Sequence, residues 1–203
     1  PALLPAVYEG PIVTGRVREG IAATTGLVPG TPVVAGGGDQ AAGAVGMGIV
    51  TPGAVSATIG TSGVVFAATD RPALDPCGRI HTFCHAVPDR WHVMGVTQGA
   101  GLSLRWLRDT FEAWDDGELA YGRMCTEAAE APPGSDGVLW APYLMGERTP
   151  HLDPHARAAL VGLSASHGRA HVTRAVLEGV AFSLRDSFGI FEELGVPTTR
   201  IRL

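Results

Sequence analysis

The sequence predicts an α/β protein with a mixed sheet, arranged as two structural units. Three observations lead there. Two pairs of β-rich runs, at 54–69 and 80–97, each close on a turn and read as hairpins. Amphipathic stretches with a helical period follow them. A Thr51-Pro52-Gly53 break separates the first fifty residues from the rest.

The elements follow in order. Residues 1–30 are punctuated by Pro5, Pro11, Pro29 and Gly30 and read as loops with short pieces of structure. Pro32-Val33-Val34-Ala35 is a short apolar run between turn residues, which predicts a buried strand. Gly36-Gly37-Gly38 ends it. Asp39 stands where a helix N-cap belongs, ahead of a run of small residues at 40–48 that predicts a closely packed helix. The runs 54–59 and 64–69 are joined by Gly60-Thr61-Ser62-Gly63, and 80–87 and 91–97 by Pro88-Asp89-Arg90. Leu104, Leu107 and Phe111 place one face on a helix that reaches about Thr110, and a further helix is expected over 118–129. Pro132-Pro133-Gly134 breaks the chain, Val138-Leu139-Trp140 restarts a strand, and 143–158 reads as an ordered polar loop. The longest helix spans about 169–194, with a stripe of Val172, Leu177, Val180, Leu184, Phe188 and Phe191. Gly195 is suited to end it, and Pro197 keeps it from resuming. The chain opens on Pro1 and stops at Ile201-Arg202-Leu203, which reads as a strand in progress, so a piece of a longer protein is expected.

Composition narrows the function classes. Of 203 residues, 45% are hydrophobic and 17% charged, as in a folded soluble domain. A net charge of −5 with no basic block argues against nucleic acid and anionic membrane as partners. No apolar run approaches the ~20 residues of a membrane helix. Cys77, Cys84 and Cys125 include no C-x-x-C pair, so a reducing cytoplasm is the expected setting. The 28 glycines cluster in short motifs, as backbone held close to a ligand or in tight turns would require. All fifteen basic residues are Arg. Without Lys there is no Walker A loop, Schiff base or protein-kinase strand lysine, and any phosphate chemistry falls to backbone N–H groups, hydroxyls, Arg or a metal.

Four constellations carry candidate chemistry. Gly36-Gly37-Gly38-Asp39-Gln40 presents a carboxylate at an open strand end, where α/β folds bind ligands; Asp39 is either a helix cap or a catalytic group. Gly60-Thr61-Ser62-Gly63 is either an ordinary hairpin turn or an anion cradle built from N–H and hydroxyl donors. Cys77, His81, Cys84 and His85 invite a zinc reading, but His81 and His85 on one strand lie ~13 Å apart at ~3.3 Å per residue, so buried strand residues are the better account and no metal site is assigned. Glu147, Arg148 and Asp153 crowd one loop and read as ion pairs.

Taken in order, Gly-Thr-Pro-Val-Val-Ala-Gly-Gly-Gly-Asp-Gln (30–40), Ile-Gly-Thr-Ser-Gly (59–63), Ser-Leu-Arg-Trp-Leu-Arg-Asp (103–109), Gly-Glu-Arg-Thr-Pro-His (146–151) and the stretch 158–178 resemble the FGGY carbohydrate kinase family, in particular its xylulokinase branch. In the last stretch the matching positions are Ala158, Gly162-Leu163 and His171-Val172 through Ala175-Val176-Leu177-Glu178. The resemblance covers nearly the whole chain. It implies an actin-like ATPase, ribonuclease H-like fold in two lobes, with residues 1–50 ending the first, sugar-binding lobe and 51–203 beginning the second, ATP-binding lobe. It further implies ATP-dependent phosphorylation of D-xylulose, or of another sugar or polyol, with ATP and Mg²⁺. Asp39 matches the catalytic base, and Asp39 with Gln40 the sugar contacts. Gly60, Thr61 and Ser62 match the phosphate-facing turn, and Gly101 and Arg105 positions near the nucleotide. A homodimer is compatible with the family. The resemblance also implies an Asp-x-Gly-Thr turn and a glycine-rich adenine segment, neither of which stands in this sequence, so the 203 residues alone are expected to be inactive.

Two other classes compete. A serine hydrolase using Ser62 lacks the Gly-x-Ser-x-Gly elbow, and Ser62 joins two strands rather than a strand and a helix. A non-catalytic binding module that kept the fold would have little need of Asp39.

Overall fold

The computed structural model describes residues 3–111 and 119–203. Its centre is a five-stranded mixed sheet. Strands β3 (Gly53–Ile59) and β4 (Gly63–Thr69) form one hairpin, β5 (His81–Cys84) and β6 (Trp91–Thr97) another. Antiparallel pairing of β4 with β6 joins them, from Gly63↔Thr97 to Thr69↔Trp91. The last strand, β9 (Thr198–Arg202), returns parallel to β3, giving the order β5-β6-β4-β3-β9. Both expected hairpins are present, and the mixed character comes from the single parallel return.

The central strands β3, β4 and β6 are apolar almost throughout because both faces of the sheet are covered there, while the edge strands β5 and β9 are half-buried or exposed. Side chains alternate between faces with period two. Val55, Ala57, Val65, Ala67 and Val93 point to one face and pack with Leu184, Ile190 and Phe191 of the long helix α5 (Arg169–Glu193). Ala54, Phe66 and Ala68 point to the other and pack with Ala41 and Ala44 of α2 (Asp39–Gly46) and with Ile49. Phe66 is 1% exposed, and burying a side chain of that size stabilises by roughly 1.5–3 kcal/mol.

The long helix lies where expected and ends as expected. Gly195 adopts φ +67°, its amide donates to Glu192 O, and the Val196 amide donates to Phe191 O, which satisfies two of the last carbonyls. Its buried face is less apolar than the sequence stripe suggested. Thr173, Gly179, Ser183 and Ser187 are buried on it, while Val172, Leu177 and Phe188 are half-buried. Helices α3 (Ala100–Phe111) and α4 (Leu119–Ala128) flank α5, and a second core joins Leu107, Met124, Val138, Trp140 and Val176. The expected first residue of α4, Glu118, lies outside the described residues. Strands β7 (Leu139–Ala141) and β8 (Ala159–Val161) pair as a small ribbon beside it.

The first part of the chain is open. Strands β1 (Val13–Arg16) and β2 (Pro32–Val34) pair antiparallel around α1 (Glu19–Thr25). The expected strand at 32–35 is there, but it is exposed rather than buried, with Val33 and Val34 44% and 47% accessible. Two strands cannot cover their own faces, and every residue of this ribbon is exposed. No described helix is long and apolar enough to cross a membrane.

Candidate active site

Pairing of Gly63 with Thr97 decides the site's location. It puts the 60–63 turn beside the end of β6, and α3 begins three residues beyond Thr97. The first turn of α3 therefore meets the hairpin turn. The Gly101 amide donates to Gly60 O at 2.8 Å, and the Leu102 amide to Thr61 O at 3.2 Å. A Cβ on Gly101 would lie 2.5 Å from Gly60 O, so only glycine allows this approach. The Gly60 amide donates to Ser62 O within the turn.

These bonds engage the carbonyls of Gly60 and Thr61. Among the described residues, the amides and hydroxyls of Thr61 and Ser62 have no protein partner. Thr61 is exposed and Ser62 half-buried. The turn thus shows unpaired donors outward while its acceptors are tied down, an arrangement suited to an anion. Arg105 stands one helical turn beyond Gly101 on the same face of α3, exposed and without an ion-pair partner among the described residues. An open, largely apolar groove of about 780 Å³ runs between α3 (Gly101, Leu104) and α5 (Val180, Leu184) and on to Ile201 and Leu203 at the end of the chain. Arg105 is not part of its lining.

Asp39 and Gln40 form a separate group. Asp39 is the first residue of α2, one position inside the N-cap, which is Gly38. Its Oδ1 accepts the Gln40 amide at 2.8 Å, and no other bond to its carboxylate is formed among the described residues, so Oδ2 is free. Asp39 and Gln40 are both exposed. No described hydrogen bond joins them to the 60–63 turn, Gly101 or Arg105.

The 143–158 loop is ordered, as expected, but not by ion pairs. Glu147 is 3% exposed. Its carboxylate accepts from Thr97 Oγ1 at 2.7 Å, the Gln98 amide at 2.9 Å and the Arg148 amide at 2.7 Å. It pairs with Asp153 only through the backbone. Thr149 is also buried; its Oγ1 accepts the Val96 amide at 3.1 Å and donates to Arg79 O at 2.5 Å. Sequence reasoning missed Glu147 as a hub because two of its three partners, Thr97 and Gln98, lie about fifty residues upstream.

The four suspected zinc ligands do not converge; no group of three or more His, Cys, Asp or Glu side chains among the described residues could hold a metal ion. Cys77 and Cys84 are exposed rather than buried. His81 lies on the strand, while His85 lies just beyond it and is buried. The Val87 amide donates to His85 Nδ1 at 3.0 Å, so Nε2 carries the proton and donates to Ile49 O at 2.9 Å. His92 stacks on Phe66 at 4.3 Å. Burial pushes His92 down to about 4, with help from nearby His85, and burial also lowers His85. His81 is lowered by burial and by Arg148.

Comparison with known proteins agrees with this geometry. The sequence pattern described as "FGGY family of carbohydrate kinases, C-terminal domain" matches residues 55–203. The chain is 40% identical over 193 residues to a xylulose kinase of Bacillus subtilis, covering 95% of this chain and 38% of that protein. It is 39% identical over 191 residues to a gluconokinase of the same organism, covering 90% and 37%. The crystal structure of xylulose kinase from Rhodospirillum rubrum superposes with a TM-score of 0.89 at 33% identity, over 100% of this chain and 40% of that one. The chain therefore spans well under half the length of these relatives. The fold is the actin-like ATPase fold of the FGGY sugar kinases, as the sequence led us to expect.

Proposed function

We propose, from the premise that this chain belongs to the FGGY family of carbohydrate kinases, that the polypeptide carrying it transfers the γ-phosphoryl group of ATP to the terminal hydroxyl of D-xylulose, forming D-xylulose 5-phosphate. The observation that carries the reading is the 60–63 turn. Its free Thr61 and Ser62 donors face outward beside Gly101, with Arg105 one turn away. That donor set fits phosphate oxygens. The choice of sugar rests on the relatives named xylulose kinases.

In this reading residues 1–50 end the sugar lobe and 51–203 begin the nucleotide lobe, with α2 docked on the nucleotide lobe's sheet. Asp39 stands at the start of that helix and accepts the proton of the attacking hydroxyl at Oδ2, its Oδ1 being held by the Gln40 amide. The sugar oxygen bonds to the γ-phosphorus as the bond from phosphorus to the bridging oxygen breaks, and ADP leaves. Asp39 and the turn make no direct contact, so bringing the two groups to reacting distance is the work of substrate binding and lobe closure about the Thr51-Pro52-Gly53 segment. The residues described contain no cage for Mg²⁺; the ion enters this reading only as carried on the nucleotide's phosphates. Three free, exposed thiols fit a reducing cytoplasm.

The gluconokinase relative supports a second reading, in which the acceptor is a sugar acid. The test is ATP-dependent phosphorylation by the complete polypeptide across D-xylulose, D-gluconate and other polyols. Preference for D-xylulose in kcat/KM upholds the proposal; preference for D-gluconate replaces it; ATP turnover with no sugar acceptor ends both.

A further inference from the structure

We infer that Glu147 is a positioning residue for the nucleotide phosphates, acting through Gln98 and the start of α3 on the 60–63 turn. This rests on the nucleotide reading of that turn.

Glu147 is the one Asp or Glu buried as a whole residue among the described residues, and no cation there pairs with it. Desolvating a carboxylate costs several kcal/mol unless its oxygens are well provided with donors. Three donors converge on it, and two of them come from the end of β6: the Thr97 hydroxyl and the Gln98 amide. Thr97 Oγ1 in turn accepts from Ser183 Oγ at 2.6 Å, which links the cluster to α5. The loop presses again one residue later. A Cβ on Gly99 would lie 1.8 Å from Pro142 O, so the backbone there rests directly on the loop's own start.

Immediately beyond, the amides of Gly101 and Leu102 hold the carbonyls of Gly60 and Thr61. The segment 98–102 is therefore gripped on one side by Glu147 and Pro142 and on the other by the turn. A displacement at Gln98 reaches Gly60 through four residues of tightly packed backbone. Glu147 touches neither the turn nor a ligand; its effect is to hold the turn's carbonyls inward and leave the donors of Thr61 and Ser62 outward.

The test uses the complete polypeptide, with E147Q and T97V measured beside it. Glutamine keeps the shape but supplies one acceptor oxygen and puts an NH₂ against Thr97. The expected result is a rise of about tenfold in KM for ATP, and in the ATP Kd measured calorimetrically without sugar, while KM for the sugar stays within about twofold. T97V, which keeps the carboxylate and removes one of its donors, shifts ATP in the same direction by less, and it decides the matter if E147Q does not fold. An unchanged ATP Kd in a folded variant, or a sugar KM that rises as much as that for ATP, overturns the role given to Glu147. A parent that binds no ATP overturns the reading of the turn, and the role with it; a parent that binds ATP while both variants bind it equally overturns the role alone.

Discussion

The Gly101 amide and the Gly60 carbonyl meet at 2.8 Å, in a space that excludes a methyl group on Gly101. This contact joins the N-terminus of α3 to the hairpin turn of β3 and β4 and turns the free donors of Thr61 and Ser62 outward. Gly101→Ala forces the two apart. KM for ATP is expected to rise at least about tenfold with KM for the sugar little changed, and overpacking is expected to cost about 1–3 kcal/mol in denaturant titration. Wild-type kinetics in this variant would show that the close approach does not matter to the nucleotide.

Asp39→Asn preserves the side chain's shape and removes its ability to take a proton. In the complete polypeptide kcat is expected to fall by ~10²–10⁴ with ATP affinity retained. A variant that turns over like the parent would leave Asp39 as no more than a residue in the first turn of α2.

The buried histidines make stability depend on pH. In the folded chain His92 is pushed down to about 4, and His85 and His81 are also lowered, so the unfolded state binds more protons below its own pKa of about 6.5. Stability is therefore full above pH 6.5 and is lost as pH falls from there towards 4. From His92 alone the loss at pH 5 is about 2 kcal/mol. Denaturant melts at pH 7.5 and 5 measure it, and His92→Phe should flatten the slope. Equal stability at both pH values would mean that these rings take up protons freely in the fold.

Thr149→Val keeps the volume of a buried side chain and deletes the hydroxyl that serves the Val96 amide and the Arg79 carbonyl. Leaving these groups without a partner is expected to cost about 1–3 kcal/mol. Thermal or chemical unfolding reads the loss directly.

Much of the fold was legible in the sequence. Both hairpins, the break at 132–134 and the stop at Gly195 follow from local chemistry: β-branched runs, turn residues and a left-handed cap. The exposure of Val33 and Val34 was not legible, because an apolar run reveals its preference for burial but not whether a neighbour arrives to bury it. The hidden Ser183 and Ser187 on α5 escaped for the converse reason: small polar residues face a closely packed sheet because they are small. Of the proposed site, Asp39, Thr61 and Gly101 were picked out as motif residues, while Glu147 read only as one charge in a charged loop.

What the sequence determined alone is the two hairpins and the long helix, and the absence of Lys from these residues, which leaves N–H groups, hydroxyls and Arg as their donors to a phosphate, since these depend on residue type and near neighbours; it did not determine β1, α1 or β8. What only the tertiary structure decided is which groups are tied down and which are left free. The pairing of Gly63 with Thr97 brings α3 to the turn, and the bonds of Gly101, Leu102 and Glu147 then direct its donors outward. Those partners lie roughly thirty to fifty residues apart along the chain, and a hydrogen bond depends on distance and angle in space, which local sequence does not encode.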